Sequence, residues 1–255
     1  MNIISIIPAR MGSSRFPGKP MKDILGMPMI GHVYKRVKMN KTLSEVYVAT
    51  CDKEIFNYIE SVGGKAVMTS DSHERCADRC AEAMLKIESD TGEKCDIIVI
   101  VQGDEPLTFP QMIDEAIKPM IEDTNVPITN LVADLDSIEA FESPNEIKVV
   151  MDKNNNALYF SREPIPTRQK SALKLPMKKQ VCVIPFRRDF LLKYNEMEQT
   201  PLEKIESVDM MRIIENGGKV KMCNTQHITK AVDSKEDLDL VCEMMKKDEL
   251  YEKYK

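Results

Sequence analysis

Arg10, Gly12, Ser13, Arg15, Gly18 and Lys19 crowd a single stretch directly after the first apolar run, Ile3 to Ile7. Glycine lets a backbone turn tightly and bring N–H groups close to phosphate oxygens, while arginine and lysine supply fixed positive charge where negative charge accumulates. The combination describes a socket for a triphosphate. It is not a Walker A loop, whose Gly-Lys pair is followed by a hydroxyl residue where Pro20 stands here. Asp104 follows another apolar run, Ile97 to Val101, so its carboxylate is expected at a strand's end. A magnesium ion on a triphosphate takes one or two such oxygens, and phosphates and water complete its shell. Asp233, just ahead of a predicted helix, is the natural second carboxylate; helix capping is its alternative duty. No nucleophile with an adjacent base is visible, so a covalent intermediate is not indicated.

These groups need a frame. Apolar β-rich runs at Ile3 to Ile7, Glu45 to Thr50, Lys65 to Met68 and Ile97 to Val101 alternate with helical spacing, as in Ile30, Val33, Tyr34, Val37 and in Ile55, Ile59, Val62. Alternation of this kind predicts right-handed βαβ units and a Rossmann-like three-layer α/β fold with a mostly parallel central sheet. Ligands of such sheets collect beyond the carboxyl ends of the strands, where the Pro8 to Pro20 loop and Gln102 to Pro106 both fall. Residues 1–255 are read as one domain, with a small inserted subdomain within 126–200. Strands are expected there at Ile147 to Met151, Leu158 to Ser161 and Val181 to Ile184. Further on, a helix is expected from Leu202 to Asn216, stopped by Gly217 and Gly218, then a strand from Val220 to Cys223. A last helix starts near Ser234, with Ser234 and Asp237 forming a capping box.

Composition narrows the partners. The 255 residues are 42% hydrophobic and 30% charged, enough for a substantial core, and the net charge of −5 argues against a general nucleic-acid surface. A small anion is the expected partner. No apolar run approaches the ~20 residues that span a bilayer, and the first residues do not form a signal peptide, so a cytoplasmic protein is expected. Seven cysteines without a paired framework fit reduced thiols. His73, Cys76 and Cys80 could put three soft ligands on one helical face, but no fourth lies nearby in sequence, and buried or half-buried thiols are the commoner outcome.

The order Pro8-Ala9-Arg10, Gly12-Ser13, Arg15, Pro17-Gly18-Lys19-Pro20 resembles the opening of the sugar-activating cytidylyltransferases, specifically the CMP-Kdo synthetases (3-deoxy-manno-octulosonate cytidylyltransferases). The similarity continues through Val101-Gln102-Gly103-Asp104-Glu105-Pro106, Ala157 to Arg162, Pro201 to Glu206 and Val232 to Leu238, and so covers nearly the whole chain. It implies in-line attack of an acceptor hydroxyl on the α-phosphate of CTP with release of pyrophosphate, in a homodimer, for a surface glycoconjugate such as lipopolysaccharide. It implies nucleotide contacts from Ala9, Arg10, Gly12, Ser13, Arg15, Lys19, Arg79 and Gln102, with Arg10, Lys19 and Asp104 carrying the catalysis. Magnesium would rest on Asp104 and Asp233. Gln102, Arg162, Gln180, Glu203 and Glu206 would face the small acidic acceptor, although Glu203 and Glu206 could equally stabilise a helix N-terminus through its dipole.

Two stretches depart from the family. Its Ser-Gly-Thr-[Asp/Glu]-Arg loop, which helps hold the nucleotide, is Arg75-Cys76-Ala77-Asp78-Arg79 here, keeping only the acid and the final arginine. Its His-x-Gly-x-Tyr-x-Tyr-Arg stretch is Gln180 to Arg187, with Gln180 and Ile184 replacing the histidine and the first tyrosine of the acceptor site. Changes on the acceptor side with the phosphate and metal side intact point to an altered acceptor site on a working enzyme. Kdo or a related ulosonic acid is the first expectation, and another small acid such as a phosphonate the alternative. A non-catalytic nucleotide-binding protein would have no need of Arg10, Lys19, Asp104 and Asp233 together.

Overall fold

The computed structural model describes residues 1–13, 16–168, 170 and 175–255. Its first half runs β1 (Ile3–Ala9), β2 (Asp23–Ile24), β3 (Met27–Pro28), α1 (Met29–Lys38), β4 (Glu45–Thr50), α2 (Lys53–Ser61), β5 (Lys65–Met68), α3 (Cys76–Thr91) and β6 (Ile97–Val101). There follow α4 (Pro110–Glu122), β7 (Thr129–Asp134), α5 (Ile138–Glu142), β8 (Lys148–Met151), β9 (Ala157–Ser161), β10 (Lys178–Val181) and β11 (Val183–Arg187). The chain closes with α6 (Arg188–Glu196), α7 (Pro201–Glu206), α8 (Met210–Glu215), β12 (Lys221–Asn224) and α9 (Lys235–Met245).

The first sheet has the order β11-β6-β1-β4-β5, parallel throughout except for β11. Every residue of β1 is buried, as expected of a central strand covered on both faces. Side-chain alternation splits it: Ile3 and Ile7 pack with α1, α2 and α4, while Ile4 and Ile6 pack with α3 and α6. The three layers expected from the apolar rhythm are therefore present.

A second sheet, β12-β7-β10-β8-β9, is antiparallel except where β12 meets β7. Val181 to Ile184, expected as one strand, is divided between the sheets: Val181 pairs with Leu131 and Val183 with Val101, with Cys182 between. The Cys182 carbonyl accepts the Gln102 N–H at 3.2 Å, which ties the crossover to the end of β6. β7 was not anticipated from the sequence.

The expected helix from Leu202 to Asn216 is also two, because Ser207 leaves the helical region and a tertiary partner takes a carbonyl at the break. Ser207 adopts φ 53°, in the left-handed region, and the Glu206 carbonyl accepts Arg162 Nε at 2.7 Å. That oxygen would otherwise hold the next helical turn. The glycine stop is as predicted, with Gly217 at φ 73° and Gly218 N–H bonded to the Ile213 carbonyl. So is the capping box of α9, where Ser234 Oγ accepts the Asp237 N–H and the Asp237 carboxylate accepts the Ser234 N–H.

Glu203 and Arg212 lock α7 to α8 inside the core. Arg212 Nε and Nη2 donate to the two carboxylate oxygens at 2.8 and 2.6 Å, and both side chains are almost fully buried. Removing one partner of such a pair leaves an unpaired buried charge. Arg212→Met is expected to cost about 3–5 kcal/mol of stability, read from urea unfolding at unchanged m-value, and Glu203→Leu combined with Arg212→Met should recover most of it.

Candidate active site

A cleft of about 740 Å³ opens beyond the carboxyl ends of β1 and β6 and extends to the second sheet. On one side lies the loop after β1. Met11 organises it: its N–H donates to Asp52 Oδ2 at 2.8 Å, and its carbonyl accepts the N–H groups of Ser13 and Gly18. Gly18 sits at φ 71°, which a side chain would strain. Gly12 does not need that freedom; a Cβ there would meet nothing within 4 Å, so this glycine leaves open space at the cleft rather than forming the turn expected of it. Arg10, Gly12, Ser13 and Lys19 line the cleft. Ser14 and Arg15 lie outside the described residues.

Lys19 is the meeting point. Its Nζ lies 2.6 Å from Asp104 Oδ2, 3.0 Å from Asp233 Oδ1 and 3.0 Å from the Val232 carbonyl. The Val232 N–H donates to the Asp104 carbonyl at 2.9 Å, so backbone pairing holds both carboxylates on one side of the ammonium. Burial alone would lower the Lys19 pKa, but attraction to Asp104 and Asp233 outweighs it and holds it above the ordinary lysine value. Close approach of backbone is required at Gly103, where a Cβ would stand 2.9 Å from the Pro8 carbonyl oxygen.

The two carboxylates fit a divalent cation. Asp104 Oδ1 is buried with no hydrogen-bond partner, an arrangement that is costly unless a cation or ligand completes it. Among the described residues no three His, Cys, Asp or Glu side chains are grouped to hold a metal ion by themselves, so a bound cation would depend on ligand and water oxygens. His73, considered with Cys76 and Cys80, is engaged instead with the Glu82 carboxylate.

The second sheet supplies the opposite side of the cleft. Arg162 and Gln180 line the cleft, as does Gln102. Glu206 does not line it. Its carboxylate accepts the Arg162 N–H at 2.9 Å together with the Tyr159 and Ser161 hydroxyls, so it braces the strand that delivers Arg162. Glu203 belongs to the buried pair with Arg212 and does not reach the cleft. Arg79 is 3% exposed and bonds to Thr69 Oγ1 and to the Ser70 and His73 carbonyls; with Ala9 it borders a smaller adjoining recess.

The structure adds cleft residues that the motifs did not single out for binding: Arg75, Glu105, Glu146, Lys179 and Asp209. Lys179 Nζ donates to Glu146 at 3.0 Å. Burial, reinforced by the Asp104 charge, pushes the Glu105 carboxyl up to about 7. Its signal in the sequence was the acidic doublet Asp104-Glu105 at a strand's end. Arg75 reaches Asp209 Oδ1 at 3.3 Å, a pairing between the start of α3 and the turn before α8 that spacing could not reveal. Burial pushes the Cys76 thiol up to about 12, which disfavours the thiolate.

A layered α/β sheet with a cationic loop after its first strand and two carboxylates around one lysine is the frame of a nucleotidyltransferase. The chain belongs to the cytidylyltransferase family, whose sequence profile matches residues 4–229. It is 44% identical to the 3-deoxy-manno-octulosonate cytidylyltransferase of Geotalea uraniireducens over 257 aligned positions, covering 97% of this chain and 100% of that protein. It is 43% identical to the protein of the same name from Geobacter metallireducens, covering 96% of this chain and 98% of the relative. Among solved structures, CMP:2-keto-3-deoxy-manno-octonic acid synthetase complexed with CTP superposes with a TM-score of 0.88 at 35% identity, over 97% of this chain and 99% of that one. Among the described residues no helix is long and apolar enough to cross a membrane.

Asp209 provides a pH test of this geometry. Burial pushes its carboxyl from 3.8 up to about 6, against the pull of Arg75. The native state then binds more protons than the unfolded chain between those values, so stability falls as pH rises through that window. Chemical denaturation across it is expected to show this slope in the wild type and a flatter profile in Asp209→Asn.

Proposed function

We propose that this chain transfers CMP from CTP to 3-deoxy-manno-octulosonate (Kdo), releasing pyrophosphate, with magnesium as cofactor. The observation that carries this is Lys19 Nζ set between Asp104 and Asp233 at 2.6 and 3.0 Å, in the cleft that Arg162 and Gln180 also line. The relatives named for this activity extend across nearly the entire chain and supply the acceptor's identity.

In this reading the triphosphate lies along the loop after β1. Arg10 and Lys19 oppose the charge that gathers on the phosphates as the bond to pyrophosphate breaks. Asp104 and Asp233 would hold magnesium, which when bound neutralises phosphate charge and orients the oxygens. Arg162 offers a planar fork suited to the acceptor carboxylate. With Gln180 and Gln102 it sets the anomeric hydroxyl in line with the α-phosphate, and catalysis is chiefly this positioning. Work in the cytoplasm, where CTP is available, and assembly as a homodimer belong to the same proposal.

The test is pyrophosphate release with magnesium and each of the four nucleoside triphosphates, against Kdo, sialic-type acids and small phosphonates. Turnover is expected with CTP and Kdo; turnover with another acid alone, or with none, overturns the proposal. Lys19→Ala and Asp104→Asn should each lower kcat by at least about 100-fold while the proteins remain folded, and chelation should abolish turnover until magnesium is restored.

A further inference from the structure

Gln180 lines the cleft, and its side chain is not left to choose its own orientation. Gln180 Nε2 donates to Asn130 Oδ1 at 2.6 Å. Asn130 is completely buried, and its Nδ2 donates to the carbonyls of Val181 at 2.7 Å and Leu131 at 3.1 Å. Both of its amide hydrogens are thus committed to backbone oxygens. Turning the Asn130 amide over would set its oxygen against those two carbonyls, so Oδ1 must face Gln180. Turning the Gln180 amide over would in turn press Oε1 against Oδ1. The chain of dependence runs from the paired backbone of β7 and β10, through Asn130, to the polarity of one cleft side chain.

We infer that Asn130 is a positioning residue that fixes the Gln180 amide so that the cleft presents the carbonyl oxygen Oε1 as a hydrogen-bond acceptor to a hydroxyl of the acceptor sugar. The inference rests on reading this side of the cleft as the sugar site. Gln180 lines the cleft and Nε2 is anchored on the wall, so Oε1 is the acceptor left for a ligand. A site of this kind selects a donor at one position and disfavours an analogue without it, because the oxygen is then left unpaired.

The experiment is steady-state kinetics with CTP, Kdo and Kdo analogues each lacking one hydroxyl, using wild type, Gln180→Leu, Asn130→Leu and the double variant. The wild type should lose roughly tenfold or more in kcat/KM on one particular analogue. Both single variants should raise the Kdo KM by roughly tenfold, leave the CTP KM unchanged and lose the discrimination against that analogue, and the double variant should be no worse than either single. An unchanged Kdo KM in Asn130→Leu beside a raised one in Gln180→Leu overturns the inference, as does additivity in the double variant. Should Asn130→Leu fail to fold, the nitrogen-15 side-chain amide signals of Gln180 in the wild type decide: one proton shifted downfield and protected from exchange is expected, and a freely exchanging pair overturns the contact. Absence of wild-type turnover with Kdo would instead overturn the acceptor assignment, while the amide signals still report on Asn130.

Discussion

The arrangement depends on one ammonium group between two carboxylates. Asp104 and Asp233 lie 85 and 214 residues from Lys19 in the chain, and the three are delivered by different kinds of segment: a glycine-containing loop, a strand end and a helix entry. Two carboxylates this close repel unless a cation lies between them. Lys19 supplies that cation in the free protein, and the backbone bond from Val232 to the Asp104 carbonyl prevents the carboxylates from relaxing apart.

Around that centre, several charged residues serve as supports. Glu206 braces Arg162 through its carboxylate and its own backbone carbonyl, and Glu203 neutralises a buried arginine. Arg79 binds the loop ahead of α3 and not the main cleft. The buried groups are satisfied by protein partners, as the cost of burying an unpaired charge demands. Among the described residues five buried side-chain atoms depart from this pattern: Arg36 Nη1, Glu115 Oε2 and Thr200 Oγ1 lie away from the cleft, whereas Asp104 Oδ1 and Glu105 Oε2 belong to residues that line it.

The cleft itself is a consequence of how the chain crosses between sheets. Cys182 separates a strand of the second sheet from one that joins the first, so residues of β10 and the end of β6 face one cavity. This is how Gln180, on an antiparallel strand, comes to share a wall with Gln102 and Asp104.

The sequence by itself determined the layered fold, the cationic loop after the first strand and the strand-end carboxylate. Each of these is local: the apolar alternation of Ile3 to Ile7 and Ile97 to Val101, the glycine and cations just beyond, and the caps at Gly217 and Ser234 all express themselves within a few residues. Motif order likewise paired Asp233 with Asp104. The tertiary structure decided what local pattern cannot encode. It divided Val181 to Ile184 between two sheets, because pairing partners far along the chain set which ladder each residue joins. It broke the helix at Ser207 by assigning the Glu206 carbonyl to Arg162. It also separated the acids and bases that touch the cleft from those that hold the frame. A carboxylate near a helix start reads the same in sequence whether it meets a ligand or a buried arginine, and only the neighbours brought by folding distinguish the two.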